Sequence, residues 1–331
     1  MTKKEKTYTP NSYFLGKFPA GKSGNAVNGL GETEERRASP FFWHKPDRQE
    51  FGELQEAVIN HHRKSPDIAA AYSSGPHRGP STISKAEQKT EVTPERATKD
   101  IKQFVLENEG DLVGIVPLDP MWVYEGFEIN EPWVIIIGVA MDHERFNQAP
   151  ASFKNPTAGV EVAEKYNQAS RTCRNLVNYI LAQGFEAKAF PGPFATALNM
   201  IPAAIAAGIG ELGKHGNMIN REYGSNFRLS AVTTDLPMIA DEADDFGSDS
   251  FCHRCQVCTN ACPPGAISSE KQMVRGLEKW YVDFDKCIPY FGETMACGIC
   301  LARCPWSTPG RAPKLAEKWA KRKTLEADKL L

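Results

Sequence analysis

The stretch FCHRCQVCTNACPPG (residues 251–265), followed by CGICLARCPW (residues 297–306), decides the fold of this chain. Eight of the nine cysteines lie between Cys252 and Cys304, and the first run has the spacing C-x2-C-x2-C-x3-C-P. In such a run three thiolates bind one cubane cluster, and the cysteine before proline binds the other cluster. The spacing therefore predicts two [4Fe–4S] clusters.

The crossing between the two runs predicts which cysteines share a cluster. The first cysteine set is Cys252, Cys255, Cys258 and Cys304. The second cysteine set is Cys262, Cys287, Cys297 and Cys300. Cys287 departs from a plain two-cluster ferredoxin because nine residues, instead of two, separate it from Cys297. The alternatives are zinc ribbons, which rarely use this run twice, and disulfides, which would not need this spacing.

The composition indicates a globular protein of one or two domains. The chain has 331 residues and a net charge of −2, which gives no sign of nucleic-acid binding. It has no run of about 20 apolar residues, so a membrane span is not expected. Arg36-Arg37 is not followed by an apolar segment, so we expect no twin-arginine export signal. Eight cluster thiolates suit a reducing environment, which predicts a cytoplasmic location.

The chain divides into four parts. Residues 1–92 are rich in Gly, Pro, Ser and charged residues, and we expect an irregular N-terminal arm that is disordered or wraps the core. Residues 93–245 alternate predicted helices and strands, which indicates an α/β or α+β core. Residues 246–310 form the predicted ferredoxin-like domain, and residues 311–331 form a predicted charged C-terminal helix.

Local patterns predict the elements of the core. Thr93-Pro94 is typical of a helix start, and WVIIIGV (residues 133–139) is apolar throughout, as in a strand that is buried on both faces. The other predicted helices span residues 159–183 and 198–207. The other predicted strands span residues 112–116, 185–189 and 229–232.

Three further motifs carry a resemblance to a known family. They are AGIGELGKHG (residues 207–216), REYGSNFRL (residues 221–229) and TTDLP (residues 233–237). Together with the lone Cys287 and the closing CPWS, these motifs resemble the corrinoid-dependent reductive dehalogenases over residues 95–307. The wider family includes epoxyqueuosine reductase, which shares the cofactors.

The resemblance implies a nitroreductase-like core that buries a base-off cobalamin, with the ferredoxin-like domain packed against it. It also implies a reaction, the replacement of a carbon–halogen bond by a carbon–hydrogen bond in an organohalide, which we expect to be aromatic. Electrons would pass from a separate donor protein through both clusters to the cobalamin. The soluble catabolic type is the better match because an export signal is not expected. The oligomeric state stays open.

Other functions remain open at this point. Epoxyqueuosine reductases place an acidic proton donor in a Gly-Arg-Asp-Tyr-His context, whereas this chain has Lys165-Tyr166. The near-neutral charge also argues against tRNA as a substrate. Electron transfer without cobalamin, and cobalamin binding for storage or maturation, are the remaining alternatives.

The resemblance implies a tyrosine proton donor with a cationic partner. Tyr166 matches the tyrosine and Arg228 its partner, and a guanidinium favours the tyrosinate, which makes the phenol a readier acid. Lys214 is a second cationic candidate, as the partner of Tyr166 or as a contact to cobalamin. The structural alternatives are a half-buried helix residue for Tyr166, a surface charge for Arg228 and a charge at a helix end for Lys214.

Small residues complete the expected cobalamin site. We expect the backbone to approach the corrin closely at Gly192, Gly208, Gly210, Gly213, His215 and Gly216. A dinucleotide site at the GxGxxG match is not expected, because no strand precedes it and no acidic partner follows. The alternatives are tight packing of a turn for the glycines, and capping or packing for His215.

Overall fold

The computed structural model describes residues 8–73, 83–194 and 196–327, with side chains up to residue 322. Residues 1–7 of the predicted arm and residues 328–331 of the predicted C-terminal helix lie outside the described residues. Among the described residues, no helix combines the length and apolar character that crossing a membrane requires.

The N-terminal part is more helical than its composition indicates. Its helices in the described residues are α1 (Ser12–Leu15), α2 (Gly24–Val27), α3 (Gly52–Arg63) and α4 (Pro66–Ser73). The expectation of an irregular arm is therefore wrong for residues 52–73. The missed signal is the spacing of Leu54, Ala57 and Val58, which lie on one buried face of α3.

The rest of this N-terminal part does wrap the core. Phe42 is buried, and the ring of Phe41 lies 4.6 Å from that of Phe284, in the cysteine-rich part of the chain. Arg37 donates hydrogen bonds to backbone carbonyls of residues 123 and 127 in the core. The wrapped form of the predicted arm is thus the one observed.

The core contains the helices and strands that the sequence predicts, displaced by a few residues at their ends. Its helices are α5 (Pro94–Glu107), α6 (His143–Phe146), α7 (Thr157–Leu181) and α8 (Met200–Ala206). Its strands are β1 (Leu112–Pro117), β2 (Trp133–Ala140), β3 (Ala187–Phe190), β4 (Glu211–Leu212), β5 (Met218–Ile219) and β6 (Phe227–Thr234). Thr93 caps α5 by accepting a hydrogen bond from the Arg96 amide.

A four-stranded antiparallel sheet forms the centre, in the order β1-β2-β6-β3. Strand β2 is buried on both faces, as predicted, because helices cover each face. Ile135 and Ile137 pack with residues of α5 and α7, and Val134 and Ile136 pack with residues of α8. Alternate side chains of a strand point to opposite faces, which explains the continuous apolar run. The mixed α/β class is confirmed.

The cysteine segment (residues 246–310) folds from short elements. They are α9 (Ser248–Arg254), α10 (Val257–Ala261), β7 (Gln272–Val274), β8 (Leu277–Lys279), α11 (Phe284–Glu293) and α12 (Ile299–Ala302). Helix α13 (Arg311–Ala327) follows, where a C-terminal helix was predicted. The segment meets the core where the Ser225 amide donates to Ser307 Oγ and Asn226 Nδ2 donates to the Ser307 carbonyl.

Candidate functional site

The four thiols of the first cysteine set line one cavity, together with Phe251 and Trp306. Cys252 and Cys258 lie on α9 and α10, Cys255 lies between these helices, and Cys304 follows α12. Burial raises the pKa of Cys252 and of Cys304 to about 12, and neighbouring thiols add to the effect. Four cysteine side chains that line one small cavity are suitable donors for an iron–sulfur cluster.

The second cysteine set forms a separate group. Cys287 lies on α11, Cys300 on α12, and Cys262 directly after α10. Burial raises the pKa of Cys287 to about 12 and that of Cys297 to about 11, and both feel the charge of Cys262. The pKa of Cys300 is also raised, by burial first and then by the charges of the other three thiols. The eight cysteines therefore meet in the two predicted sets.

Cys300, a member of the second set, contacts other cysteines on one side and the core on the other. It packs with Cys258 and Cys262 on one side, and with a cluster that includes Tyr166 and Phe146 on the other. Next to it, a Cβ on Gly298 would lie 3.0 Å from the ring of Phe146. The second cysteine set is thus packed against the surroundings of Tyr166.

The structure brings Tyr166, Arg228 and Gly192 together. The Arg228 guanidinium lies 5.4 Å from the centre of the Tyr166 ring and 5.7 Å from that of Phe146. A Cβ on Gly192 would lie 2.6 Å from Tyr166 Cε1, so a glycine leaves room for this ring. Arg228 Nη1 donates to the Phe227 carbonyl, while its buried Nε has no hydrogen-bond partner among the described residues. A buried donor of this kind is free to bind a ligand acceptor.

Lys214 lies elsewhere, which corrects its assignment as partner of Tyr166. It is 1% exposed, and its Nζ donates to the Cys255 carbonyl at 3.0 Å. The same Nζ lies 4.8 Å from the centre of the Trp280 ring. Lys214 thus belongs to the first cysteine set, and Arg228 is the cation beside Tyr166.

His215 has the packing role that was its structural alternative. Its Nε2 is 2.9 Å from Ser225 Oγ, and its Nδ1 accepts a hydrogen bond from the Asn217 amide at 3.3 Å. Burial lowers the pKa of His215 to about 4, so the ring is neutral at neutral pH. These bonds fix the turn between β4 and β5. Its contact with a cofactor stays a prediction.

The glycines of the 207–216 motif face protein atoms. A Cβ on Gly210 would lie 2.2 Å from the Ile219 carbonyl oxygen, and one on Gly213 would lie 2.6 Å from His215 Cε1. Gly208 and Gly216 have φ angles of +71°, and added Cβ atoms would meet Glu242 and Val282. Close packing of protein on protein therefore accounts for these glycines. Their contact with a corrin stays a prediction.

Sequence reasoning did not single out Phe146 and Trp280. Phe146 is distant in sequence from Arg228, and Trp280 is distant in sequence from Lys214. Neither residue lies in a recognisable motif. Only the folded structure places Phe146 beside Arg228 and Trp280 beside Lys214. The fully buried Cys173, the one cysteine outside the motifs, lies on the buried face of α7 and packs in the core, as a small apolar residue does.

Comparison with known proteins first identifies the class. Residues 251–308 match the family model of the 4Fe–4S dicluster domain. The segment that carries both cysteine sets is therefore of an iron–sulfur type.

Relatives that match beyond this segment include reductive dehalogenases. The chain is 27% identical over 245 residues to a tetrachloroethene reductive dehalogenase of Desulfitobacterium hafniense, over 69% of this chain and 43% of that protein. It is 31% identical over 184 residues to that of Sulfurospirillum multivorans, over 53% of this chain and 35% of that protein. Epoxyqueuosine reductase of Escherichia coli is 28% identical over 220 residues, over 59% and 54%. The expected resemblance is confirmed.

Solved structures show the same fold. A catabolic reductive dehalogenase, NpRdhA, in complex with 3-bromo-4-hydroxybenzoic acid has a TM-score of 0.70 at 21% identity, over 88% of this chain and 45% of that one. A second reductive dehalogenase structure has a TM-score of 0.64 at 24% identity, over 80% and 39%. The chain spans less than half the length of the dehalogenases that it matches.

Proposed function

We propose that the protein is an iron–sulfur and corrinoid oxidoreductase that removes halide reductively from an organohalide, which we expect to be aromatic. The observation that carries the proposal is the pairing of Tyr166 with Arg228, whose guanidinium lies 5.4 Å from the centre of the Tyr166 ring. Tyr166 and Cys300 of the second cysteine set pack against the same apolar cluster, which supports a role for this pair near that set. The relationship to reductive dehalogenases supports the same reaction.

The cysteines fit the expected clusters. Each cysteine set supplies four thiolates, which suits one [4Fe–4S] cluster. A base-off cobalamin in a nitroreductase-like core would supply the low-potential electron chemistry at the carbon–halogen bond. The unpaired Arg228 Nε is a donor available to a polar group at this position.

Tyr166 has the role of proton donor in this proposal. Replacing halide by hydrogen requires a proton, and Tyr166 is the residue that we expect to donate it, with the Arg228 guanidinium 5.4 Å from its ring centre as a fixed cation. The same guanidinium lies 5.7 Å from the ring centre of Phe146. These residues hold and deliver the proton without taking part in electron transfer.

The contacts also support a proposed order for electron transfer. Cys258 of the first set and Cys262 of the second set pack with Cys300, which in turn packs with the cluster around Tyr166. We propose that a separate donor protein reduces the first cluster, and that the second cluster lies nearer the substrate. No nucleic-acid partner is proposed, and a cytoplasmic location stays a prediction from the cysteine content.

The test is halide release by protein reconstituted anaerobically with iron, sulfide and cobalamin, with reduced viologen as donor and an ortho-brominated phenol as substrate. We expect bromide release that depends on cobalamin. Tyr166→Phe should lower the rate by about 100-fold or more, as expected for loss of a general acid. Tyr179→Phe is the matched control, because Tyr179 lies on the same helix but stacks on Phe104 in the core.

Three outcomes would overturn all or part of the proposal. Protein that holds cobalamin and both clusters but converts only epoxyqueuosine would favour the tRNA-modification alternative, to which the Escherichia coli relative points. Protein that assembles both clusters but never binds cobalamin would favour simple electron transfer. Equal loss of rate in both tyrosine variants would remove the role of Tyr166.

A further inference from the structure

We propose that Lys214 raises the reduction potential of the cluster held by the first cysteine set, and so sets the driving force for electron entry. The inference rests on the proposed function only in requiring that this set holds a cluster. It gives Lys214 a tuning role that is distinct from proton delivery.

The geometry isolates a positive charge beside the thiols. Lys214 lines the same cavity as all four cysteines of the first set, and it is 1% exposed. Its backbone amide lies 3.5 Å from Cys252 Sγ, while its Nζ is held by the Cys255 carbonyl at 3.0 Å. The lysine therefore meets the cysteine loop through both its backbone and its side chain.

The charge is shielded from water and is not neutralised by a carboxylate. The Trp280 ring covers Nζ at 4.8 Å, and among the described residues no carboxylate is within ion-pair distance of it. A buried cation normally has a paired anion. Here the negative charge that balances it would be that of the thiolate-ligated cluster itself.

Electrostatics gives the direction of the effect. Reduction adds one negative charge to the cluster, and a cation nearby stabilises the reduced form more than the oxidised form. The interaction between the lysine charge and the cluster is strong because the surrounding protein, which has a low dielectric constant, separates both of them from solvent. Hydrogen bonds and net charge around a cluster are among the factors that set its potential. Loss of the charge should lower the potential.

Lys271 offers a matched control. Its Nζ lies 5.5 Å from the centre of the same Trp280 ring, but it forms an ion pair with Asp249 at 2.8 Å and does not line the cavity. Lys271→Gln removes a charge near the same ring while the cavity keeps its own cation. The comparison separates a cation inside the cavity from one outside it.

The test measures midpoint potentials of both clusters by anaerobic redox titration with electron paramagnetic resonance detection. Lys214→Gln keeps a hydrogen-bond donor and removes the charge, whereas Lys214→Arg keeps the charge. We expect Lys214→Gln to shift the one-electron equilibrium of the first cluster about tenfold toward the oxidised form, which is about 59 mV. Lys214→Arg, Lys271→Gln and the second cluster should stay close to wild type. The Cys255→Ala variant assigns the signal of the first cluster.

Two results would overturn the proposal. An unchanged potential in Lys214→Gln with full iron content would show that the charge does not act on the cluster. Loss of the first cluster in Lys214→Gln would show a purely structural role for the bond to the Cys255 loop. Absence of two cluster signals in the wild-type protein would instead contradict the proposed function.

Discussion

Gly224 is a residue of the core whose backbone lies close to the backbone of the cysteine segment. Its φ angle is +58°, and a Cβ on it would lie 2.1 Å from the Trp306 carbonyl oxygen. Trp306 is buried and lines the cavity of the first cysteine set. One glycine therefore controls how tightly the predicted clusters are held against the core.

We expect Gly224→Ala to destabilise the protein strongly. The left-handed backbone costs an alanine about 1–2 kcal/mol, and the clash with Trp306 should add about 1–3 kcal/mol. Denaturant unfolding measures the change. Gly126→Ala is the control, since Gly126 has a φ angle of +74° with nothing within 4 Å of an added Cβ, so it should show the backbone cost alone. Equal losses in the two variants would disprove the close contact.

His62 links stability to pH at one residue of α3. Burial lowers the pKa of His62 to about 4, although its ring contacts the Phe291 carbonyl. The folded pKa lies below the unfolded value, so between these two pKa values the unfolded chain binds a proton that the folded chain does not. Stability is therefore full above the unfolded pKa of about 6.5 and falls as the pH drops toward 4.

The expected effect is about 1 kcal/mol of stability lost through His62 between about pH 7.5 and pH 5.5, allowing for some solvent access to the ring. His62→Gln should lose less stability than the wild-type protein over this interval. The measurement is denaturant unfolding at both pH values, with the exposed His253 changed to Gln as the control. The same pH dependence in all three proteins would contradict a buried neutral His62.

At the scale of single residues, the sequence is most informative about sites whose ligands are neighbours in the chain. The cysteine spacing gives both sets, because each run contributes neighbouring ligands to one cluster. Tyr166 and Arg228 could be named only through resemblance to a family. The contacts of Lys214 were not predicted, because its partners, Cys255 and Trp280, come from distant parts of the chain and no local pattern encodes that contact.

At the scale of elements, helix α11 joins the N-terminal arm to the second cysteine set. Its residue Asp285 accepts hydrogen bonds from Ser23 Oγ at 2.5 Å and from the Gly24 amide at 2.8 Å. The Phe284 amide donates to Asn25 Oδ1 at 2.8 Å. The arm is thus bound to the helix that carries Cys287.

We expect Asp285→Asn to release the arm without unfolding the core. A hydrogen bond to a charged group contributes about 1.5–3 kcal/mol, and Asn keeps only one acceptor oxygen. Limited proteolysis should cut the segment between residues 8 and 50 faster in this variant. Asp47→Asn is the control, because Asp47 is an exposed acidic residue of the same arm. An unchanged cleavage rate in Asp285→Asn would show that apolar packing alone holds the arm.

The elements also show where periodicity succeeds as a predictor. Strand β2 and helix α7 were predicted correctly because long apolar patterns encode a buried strand and a helix with one buried face. Helix α3 was missed because its mean composition is polar and only one face is buried, against α11 and the arm. When composition is averaged over a Gly- and Pro-rich region, the apolar residues of such a short buried face are not detected.

At the scale of the whole molecule, two parts differ in what holds them together. In the sheet, Val134, Ile135, Ile136 and Ile137 are fully buried between helix layers. Around the second cysteine set, the buried apolar group consists of Cys258, Cys262, Ala266 and Ile267, which bury little carbon surface. Metal–thiolate bonds to the expected clusters would therefore supply much of the stability around this set, as they do in small metal-binding domains.

Removal of iron should unfold the molecule in two stages. Without the clusters, each set would lose the bonds that tie its four cysteines together, so the cysteine segment should open while the sheet persists. We expect anaerobic chelation to abolish hydrogen-exchange protection in residues 251–308 first, together with the amides of Ser225 and Asn226 that lie at their border. Strands β2 and β6 should keep most of their protection. A sample incubated anaerobically without chelator is the control, and simultaneous loss of protection in both parts would show a single cooperative unit instead.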